Sequence, residues 1–297
     1  MKVGFIGLGI MGRPMAKNLL SAGVELVVSD LNTEAVNELV SLGAEAGTYE
    51  QIGQKCDIIL TILPNGKIVQ DVLFGESGVS KTLTAGKIVC DMSSVTPTES
   101  KTCYSKLKEL GVGFVDAPVS GGEPGAIAGS LAIMCGGDEK DFDALQEIFG
   151  ILGNSSLLIG PSGSGSVTKL ANQIIVNLGI ATVSEALVLA TKAGADPMKV
   201  YKAIRGGLAG SAVLDAKAPM MCARNFAPGG KISINHKDIK NVVNTAHDLD
   251  VPLPLTAELF EIMQALKVSG HMNDDHAGIV QYFEQLAGVE VKSDITE

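Results

Sequence analysis

Aromatic side chains are scarce in this 297-residue chain, at 4% with no tryptophan; prolines number 11, and no G-X-Y period is present. Collagen-like and low-complexity chains are thereby excluded. Positive charge is also short: 23 Lys and Arg against 33 Asp and Glu leave a formal net charge of −10. A uniformly acidic chain repels phosphate backbones and anionic lipid, so neither nucleic acid nor a membrane surface is an expected partner. The five cysteines (Cys56, Cys90, Cys103, Cys135, Cys222) are odd in number, widely spread and without a C-x-x-C pair. That suits free thiols in a reducing cytosol better than a disulfide framework or a zinc site. The four histidines make no H-E-x-x-H array. His271 and His276 could meet across one turn but lack a third ligand, so no metal is expected. No apolar run is long and unbroken, since residues 174–190 include Asn177, Ser184 and Glu185. A membrane span is not expected there. The N-terminal MKVGFIGLGIMG is interrupted by glycine and runs straight into Arg13, unlike a signal peptide. A soluble, cytoplasmic protein is the expectation.

Glycine, by contrast, is abundant: 35 residues, about 12% where about 7% is usual. With 46% hydrophobic and 19% charged residues the chain is no disordered polymer, so its glycines mark sharp turns and close approaches. Its length suits two domains of roughly 150 residues. Up to about residue 160, short β-rich runs (2–6, 25–29, 57–62, 87–91, 113–116, 130–135, 156–159) alternate with helical windows (11–22, 33–42, 98–110, 139–152). That alternation predicts an α/β domain with a mostly parallel, doubly wound sheet. Residues 161–165, PSGSG, read as a flexible, hinge-like stretch. Beyond it the pattern is helical: a long helix over 166–193, then 197–205, 212–222, 237–249, 255–268 and 274–286. The expected domains are 1–162 and an all-α 163–297 built on the long helix, with a frayed KSDITE tail.

Gly7-Leu8-Gly9-Ile10-Met11-Gly12 is G-x-G-x-x-G, weak by itself. Here it follows a predicted strand, opens a helix, and has Asp30 at the end of the next strand, 21 residues after Gly9. That context predicts a dinucleotide site, with the carboxylate on the ribose hydroxyls and the helix N-terminus on the pyrophosphate. Asp30 would repel a 2′-phosphate, and Leu31-Asn32-Thr33-Glu34 offers no arginine to receive one, so NAD(H) is expected ahead of NADP(H). Arg13, the nearest cation, is expected to face phosphate or solvent. Two loops, at 63–66 and 92–97, end strands at the same edge; as ordinary turns they would serve as helix caps, with Ser94 or Thr96 at the N-cap.

Two further groupings carry chemistry. Ser120 with Gly121 and Gly122 makes a loop whose hydroxyl and open N–H groups fit a carboxylate, although a plain β-turn has the same composition. Lys169, Asn172 and Gln173 share one helix face near the expected domain junction. A lone helical lysine is usually solvated, but this one sits among Val167, Leu170, Ala171 and Ile174, where it could donate a proton to a developing alkoxide.

These motifs resemble the β-hydroxyacid dehydrogenases, the family of 3-hydroxyisobutyrate and 6-phosphogluconate dehydrogenases. The likeness spans nearly the whole chain: GFIGLGIMG at the start, DAPVSGG at 116–122, GxGxxxKxxN at 163–172 and NHKDI at 235–239. It implies a Rossmann domain followed by an all-helical domain, a homo-oligomer (tetramer or dimer), and NAD(P)-linked interconversion of a small carboxylate-bearing aldehyde and its hydroxyacid. It implies Lys169 as catalytic acid/base, Ser120, Gly121 and Gly122 on the substrate carboxylate, and Asn172 or Gln173 orienting the substrate. Leu63, Pro64 and Ser94 would line the nicotinamide side, and Lys237 with Asp238 would reach back to the cofactor. The chain departs from the pattern at Gln173, where many relatives carry Asn, and at Leu31, where close relatives often carry Arg; the second strengthens the expectation of NAD(H). A sibling dehydrogenase acting on another β-hydroxyacid remains open. An imine reductase is disfavoured because those relatives usually replace the lysine, and a non-catalytic dinucleotide-binding protein because Lys169 and Ser120 are both kept.

Overall fold

The computed structural model describes residues 1–295, and the chain divides into two compact units, Met1–Lys169 and the part from Leu170 onward. The first unit alternates strand and helix: β1 (Lys2–Ile6), α1 (Gly12–Ser21), β2 (Glu25–Ser29), α2 (Thr33–Ser41), β3 (Glu45–Ala46), α3 (Tyr49–Lys55), β4 (Ile58–Thr61), α4 (Gly66–Phe74), β5 (Ile88–Asp91), α5 (Pro97–Glu109) and β6 (Gly113–Asp116). There follow β7 (Val119–Ser120), α6 (Gly122–Ala128), β8 (Leu131–Gly137), α7 (Glu139–Asp143), α8 (Gln146–Leu152) and β9 (Gly153–Gly160).

Strands β3-β2-β1-β4-β5-β6 lie side by side and parallel, with the order reversing at β1/β4. This is the doubly wound arrangement expected from the sequence. Side-chain alternation makes it a three-layer structure. Val3, Phe5, Leu26, Val28, Ile58, Leu60, Cys90 and Val115 bury one face, while Ile6, Val27, Ile59, Val89 and Phe114 bury the other. Strands covered on both faces need apolar residues at successive positions, which is why VVSD (27–30) opens on two valines and DIILTIL (57–63) is nearly all apolar. The sheet then departs from parallel: β8 runs antiparallel to β6 and to β7, and β9 pairs with β8. Expected window 139–152 is also two helices, broken at Ala144–Leu145.

Helix starts follow side-chain chemistry. Asn32 caps α2, Asn65 caps α4, and Thr48 and Thr96 form capping boxes with Gln51 and Glu99. α9 (Ser164–Lys192) leaves the first unit and continues into the second, which adds α10 (Pro197–Ile204), α11 (Ala212–Cys222), α12 (Ile232–Asp248), α13 (Pro254–Val268) and α14 (Val280–Ala287). These helices enclose a separate core containing Ile180, Leu187, Tyr201, Leu214, Met221, Ile239 and Met263. α12 begins five residues earlier than the expected 237, so NHKD lies inside a helix rather than at its start. The expected helix over 274–286 is instead a 3₁₀ turn, His276–Ile279, followed by α14.

The tail also differs from its expected fraying. Val291 is buried, the Ser293 N–H donates to the Cys222 carbonyl at 3.0 Å, and its hydroxyl donates to Asp196 at 2.8 Å. Thr296 and Glu297 of the expected frayed tail lie outside the described residues.

Candidate active site

The turn from β1 into α1 shows what each glycine does. Gly7 has φ +102°, a left-handed conformation that favours glycine, and a Cβ there would meet the Ile62 carbonyl. A Cβ on Gly12 would meet the Gly7 carbonyl and Ile62 Cγ2, so Gly12 is fixed by helix–strand packing. A Cβ on Gly9 would meet nothing within 4 Å. The protein's own packing therefore does not require Gly9, and the open backbone there fits the approach of a dinucleotide pyrophosphate. Asp30 lies beside this turn, its Oδ2 accepting the Leu8 N–H at 2.5 Å and its Oδ1 the Asn32 N–H at 2.7 Å. The carboxylate is thus aimed by the loops it braces. Leu31 is 96% exposed. Arg13 is engaged by Glu38 at 3.2 Å, an ion pair the sequence did not reveal.

Leu63 and Pro64 follow β4, and Ser94 follows β5, on the same edge as the glycine turn. A buried network the sequence did not signal holds the first of these loops. Asp91 Oδ1 accepts the hydroxyls of Thr61 at 2.8 Å and Ser93 at 2.5 Å, while the Leu63 N–H donates to Ser93 Oγ at 2.8 Å. Burial raises the Asp91 pKa above the ordinary carboxylate range, and the bonds from Ser93 and Thr61 oppose that. In the loop after it, Thr96 is the helix cap.

Ser120 ends β7. Gly121 (φ +135°) and Gly122 (φ +61°) both take backbone conformations that favour glycine. Lys169 Nζ donates to the carbonyl of Val119 at 2.9 Å, so the lysine meets the Ser120 loop within the first unit. Residues 161–165 are not the flexible stretch expected. Ser162 is buried, and the Gly163 N–H donates to Asp116 Oδ1 at 2.7 Å. A Cβ on Gly165 would lie 2.5 Å from the Asp116 carbonyl. These glycines let the start of α9 press against β6 and β8.

In the second unit, α9 and α12 share an amide–carboxylate cluster. Gln173 is 5% exposed; its Nε2 donates to Asp238 Oδ2 at 2.6 Å and to Asn235 Oδ1 at 3.3 Å, and its Oε1 accepts from Asn172 at 3.1 Å. Lys237 Nζ lies 2.9 Å from Asp238 Oδ1. Gln173 is thus committed to tying the two helices together, and Asn172 is the more exposed of the two amides. Asn235 is a member of the cluster that sequence reasoning passed over, quoted only within NHKDI. Among the described residues no group of three His, Cys, Asp or Glu is placed to hold a metal ion.

Comparison with known proteins defines the class. Residues 2–160 match the NAD-binding domain of 6-phosphogluconate dehydrogenase, and residues 163–283 the family described as NAD-binding of NADP-dependent 3-hydroxyisobutyrate dehydrogenase. The chain belongs to the NAD(P)-dependent β-hydroxyacid dehydrogenases. It is 45% identical to the 2-hydroxy-3-oxopropionate reductase of Escherichia coli, over 97% of this chain and 98% of that one. It is 36% identical to the 2-(hydroxymethyl)glutarate dehydrogenase of Eubacterium barkeri, over 98% and 97%. A crystal structure of 3-hydroxyisobutyrate dehydrogenase from Salmonella typhimurium superposes with a TM-score of 0.86 at 26% identity, covering 95% of this chain and 99% of the other.

Proposed function

We propose that the chain reduces tartronate semialdehyde (2-hydroxy-3-oxopropanoate) to D-glycerate, using NADH in preference to NADPH. The observation that carries the substrate assignment is the end-to-end 45% identity to the Escherichia coli reductase. SGGEPGAIAG at 120–129, KLANQIIV at 169–176 and AIRGGLAGS at 203–211 are similar to that enzyme's and longer than the fold alone requires. The cofactor preference is supported by Asp30 and by the exposed Leu31, where a 2′-phosphate would find a carboxylate and no cation.

When bound, the nicotinamide supplies the hydride that adds to the aldehyde carbon. The Ser120 hydroxyl and the N–H groups of Gly121 and Gly122 receive the substrate carboxylate. Lys169 donates its proton to the carbonyl oxygen as that oxygen gains charge, and in reverse it takes the proton of the hydroxyl. Leu63, Pro64 and Ser94 wall the nicotinamide side, Lys237 with Asp238 serves the cofactor, and Asn172 orients the substrate while Gln173 holds α12. The working form is a homo-oligomer, supported by an exposed apolar stripe on α9, and the buried free thiols fit a reducing, cytoplasmic setting.

Initial rates with NADH and NADPH against tartronate, succinate and methylmalonate semialdehydes test the reading. Tartronate semialdehyde with NADH is expected to give the highest kcat/KM; good rates on the other two with none on the first would assign a sibling activity. Lys169→Ala is expected to lose ~10³-fold in kcat while still binding NADH.

A further inference from the structure

Lys169 acts only if its ammonium is delivered to a fixed point, and a long lysine on a helix surface has many rotamers to lose. Its helix needs a fixed start. In the first unit the first turn of α9 is fastened to the sheet by a single side chain outside the proposed proton-transfer and carboxylate sites. Asp116, the last residue of β6, is 1% exposed. Its Oδ1 accepts the Gly163 N–H at 2.7 Å and the Ser162 hydroxyl at 3.4 Å, and its Oδ2 accepts the Ser166 N–H at 2.9 Å. A carboxylate there also meets the positive end of the helix dipole. The contact is close because both glycines permit it: a Cβ on Gly165 would lie 2.9 Å from Asp116 Oδ2, and one on Gly136 would lie 2.7 Å from the Gly165 nitrogen. Ser166 is held a second time, through its hydroxyl to Ser100 Oγ at 2.9 Å. One turn further on, Lys169 Nζ reaches the Val119 carbonyl, three residues after Asp116 in the same strand-and-loop segment.

We propose that Asp116 is the positioning residue for Lys169: its ionised carboxylate fixes the first turn of α9 against the loop that receives the lysine ammonium. The assignment rests on Lys169 being the proton donor. It also explains why a charge is kept where the fold would sooner have none. Burial pushes the Asp116 pKa up to about 6, against the N–H bonds from Gly163 and Ser166, and Asp91 adds to the rise. The other titratable groups around it are Cys90 on β5 and Cys135 on β8, both buried thiols, and Lys101 of α5, whose side chain lies against Gly163. Burial keeps both thiols protonated, so neither supplies a counter-charge.

The sign follows. A carboxyl whose folded pKa lies above its unfolded one contributes stability at low pH that is lost as pH rises through about 6. The ionised form needed for the clamp is therefore a cost to the fold at neutral pH. Protonation converts one oxygen into a donor and releases an amide, so the clamp slackens as pH falls through the same value.

The test compares Asp116→Asn and wild type, with NADH and tartronate semialdehyde in the reductive direction. There Lys169 works from its charged form, so acid does not remove it and an acid limb on kcat has to come from another group. Wild type is expected to show that limb near pH 6, and Asp116→Asn to lose it. At pH 7.5 the variant is expected to lose ~10- to 100-fold in kcat with the dissociation constant for NADH unchanged, as small misplacements of a catalytic group do. Its thermal midpoint should stay within about 3 °C of wild type, which a purely structural residue would not allow. Hydrogen exchange at the Gly163 and Ser166 amides should accelerate at least ~10-fold, a readout independent of substrate. A variant with wild-type kcat, pH profile and exchange overturns the proposal, as does one whose midpoint and NADH binding collapse together. If Lys169→Ala itself keeps wild-type turnover, the functional reading fails first, and the exchange result still decides whether Asp116 clamps the helix.

Discussion

A single methyl group separates the roles of the glycines in the first turn of the chain. At Gly12 a Cβ is driven into the Gly7 carbonyl, so the helix cannot keep its approach to β1. At Gly9 the same atom meets nothing of the protein within 4 Å. Gly12→Ala is therefore expected to lower stability by about 3 kcal/mol, as overpacking does. Gly9→Ala should leave the melting temperature within about 2 °C of wild type, on the order of a neutral surface change, while weakening NADH ~10-fold. Thermal melts and fluorescence titration of NADH separate the two; equal effects of the two substitutions on melting would contradict this division. The sequence alone supplies the motif and the spacing to Asp30, because those are local and one-dimensional. It gives no sign that Asp30 also braces the turn, or that Asp91 and Asp116 are buried anchors. An aspartate closing an apolar strand reads the same whether its carboxylate meets solvent or three hydrogen-bond donors.

Elements with a clear period were legible and those without one were not. Strands β1, β2 and β6 fall where the pattern puts them, because each presents a short apolar run. β3 and β7 are two residues long, too short to show alternation, and α6 is built from GEPGAIA, whose glycines and proline disguise a helix. The start of α12 was missed for another reason: what sets it lies far along the chain. Asp275 is fully buried; its Oδ2 accepts the N–H groups of Gly229 at 3.0 Å and Gly230 at 2.9 Å, and its Oδ1 accepts Lys217 Nζ at 2.8 Å. The Ile232 N–H then donates to the Asp274 carbonyl at 2.9 Å. Gly229 and Gly230, which no sequence motif explained, are thus the approach to α12 and its Asn235, Lys237 and Asp238. Burial would raise the Asp275 pKa, but Lys217, the Ala277 N–H and His276 together hold it below the ordinary carboxylate range. Such a group stabilises the fold above its unfolded pKa and ceases to do so as pH falls through its folded one. Asp275→Asn strands Lys217, which is only 14% exposed, and is expected to cost about 3 kcal/mol at pH 7. Urea unfolding over a series of falling pH checks this: the gap to wild type should be full at pH 7 and narrow only below the ordinary carboxylate range, as Asp275 itself takes up a proton.

At the scale of the whole molecule, the two units solve burial differently, and the difference bears on assembly. Strands β1, β2, β4, β5 and β6 are covered on both faces by the first unit's own helices, and the outer strand β9 leaves apolar side chains in the open, Leu157 at 64% and Ile159 at 45% exposed. α9 is not covered in that way. Its 18-residue window of highest mean hydropathy, 1.8, is only 33% buried. The side it buries carries Gln173, Asn177, Ile180, Ser184 and Leu187, with polar members bonded within the second unit. The side it exposes carries Ala171, Ile175, Thr182, Glu185, Ala186 and Leu189, apolar but for Thr182 and Glu185, with Ile175 72% and Leu189 73% exposed. Ile175, Thr182, Ala186 and Leu189 recur at steps of seven, four and three residues, which keeps them on one helix face. Bare in water, such a stripe loses the roughly 25 cal/mol per Å² that burial would return, and contiguous apolar patches on soluble proteins mark contact sites. A second copy of the same helix offers a complementary surface, since a two-fold axis brings a stripe onto itself. The double variant Ile175→Asp, Leu189→Lys touches neither Lys169 nor the Asp238 cluster, so its fold should persist. Light scattering coupled to size-exclusion chromatography is expected to give a multiple of the 30.7 kDa chain mass for wild type and a smaller species for the variant. Unchanged mass in the variant would place the subunit contacts elsewhere, and a monomeric wild type would refute the assembly outright. If the smaller species retains turnover, the chemistry is complete within one chain; if it loses kcat without losing NADH, each site draws on its neighbour.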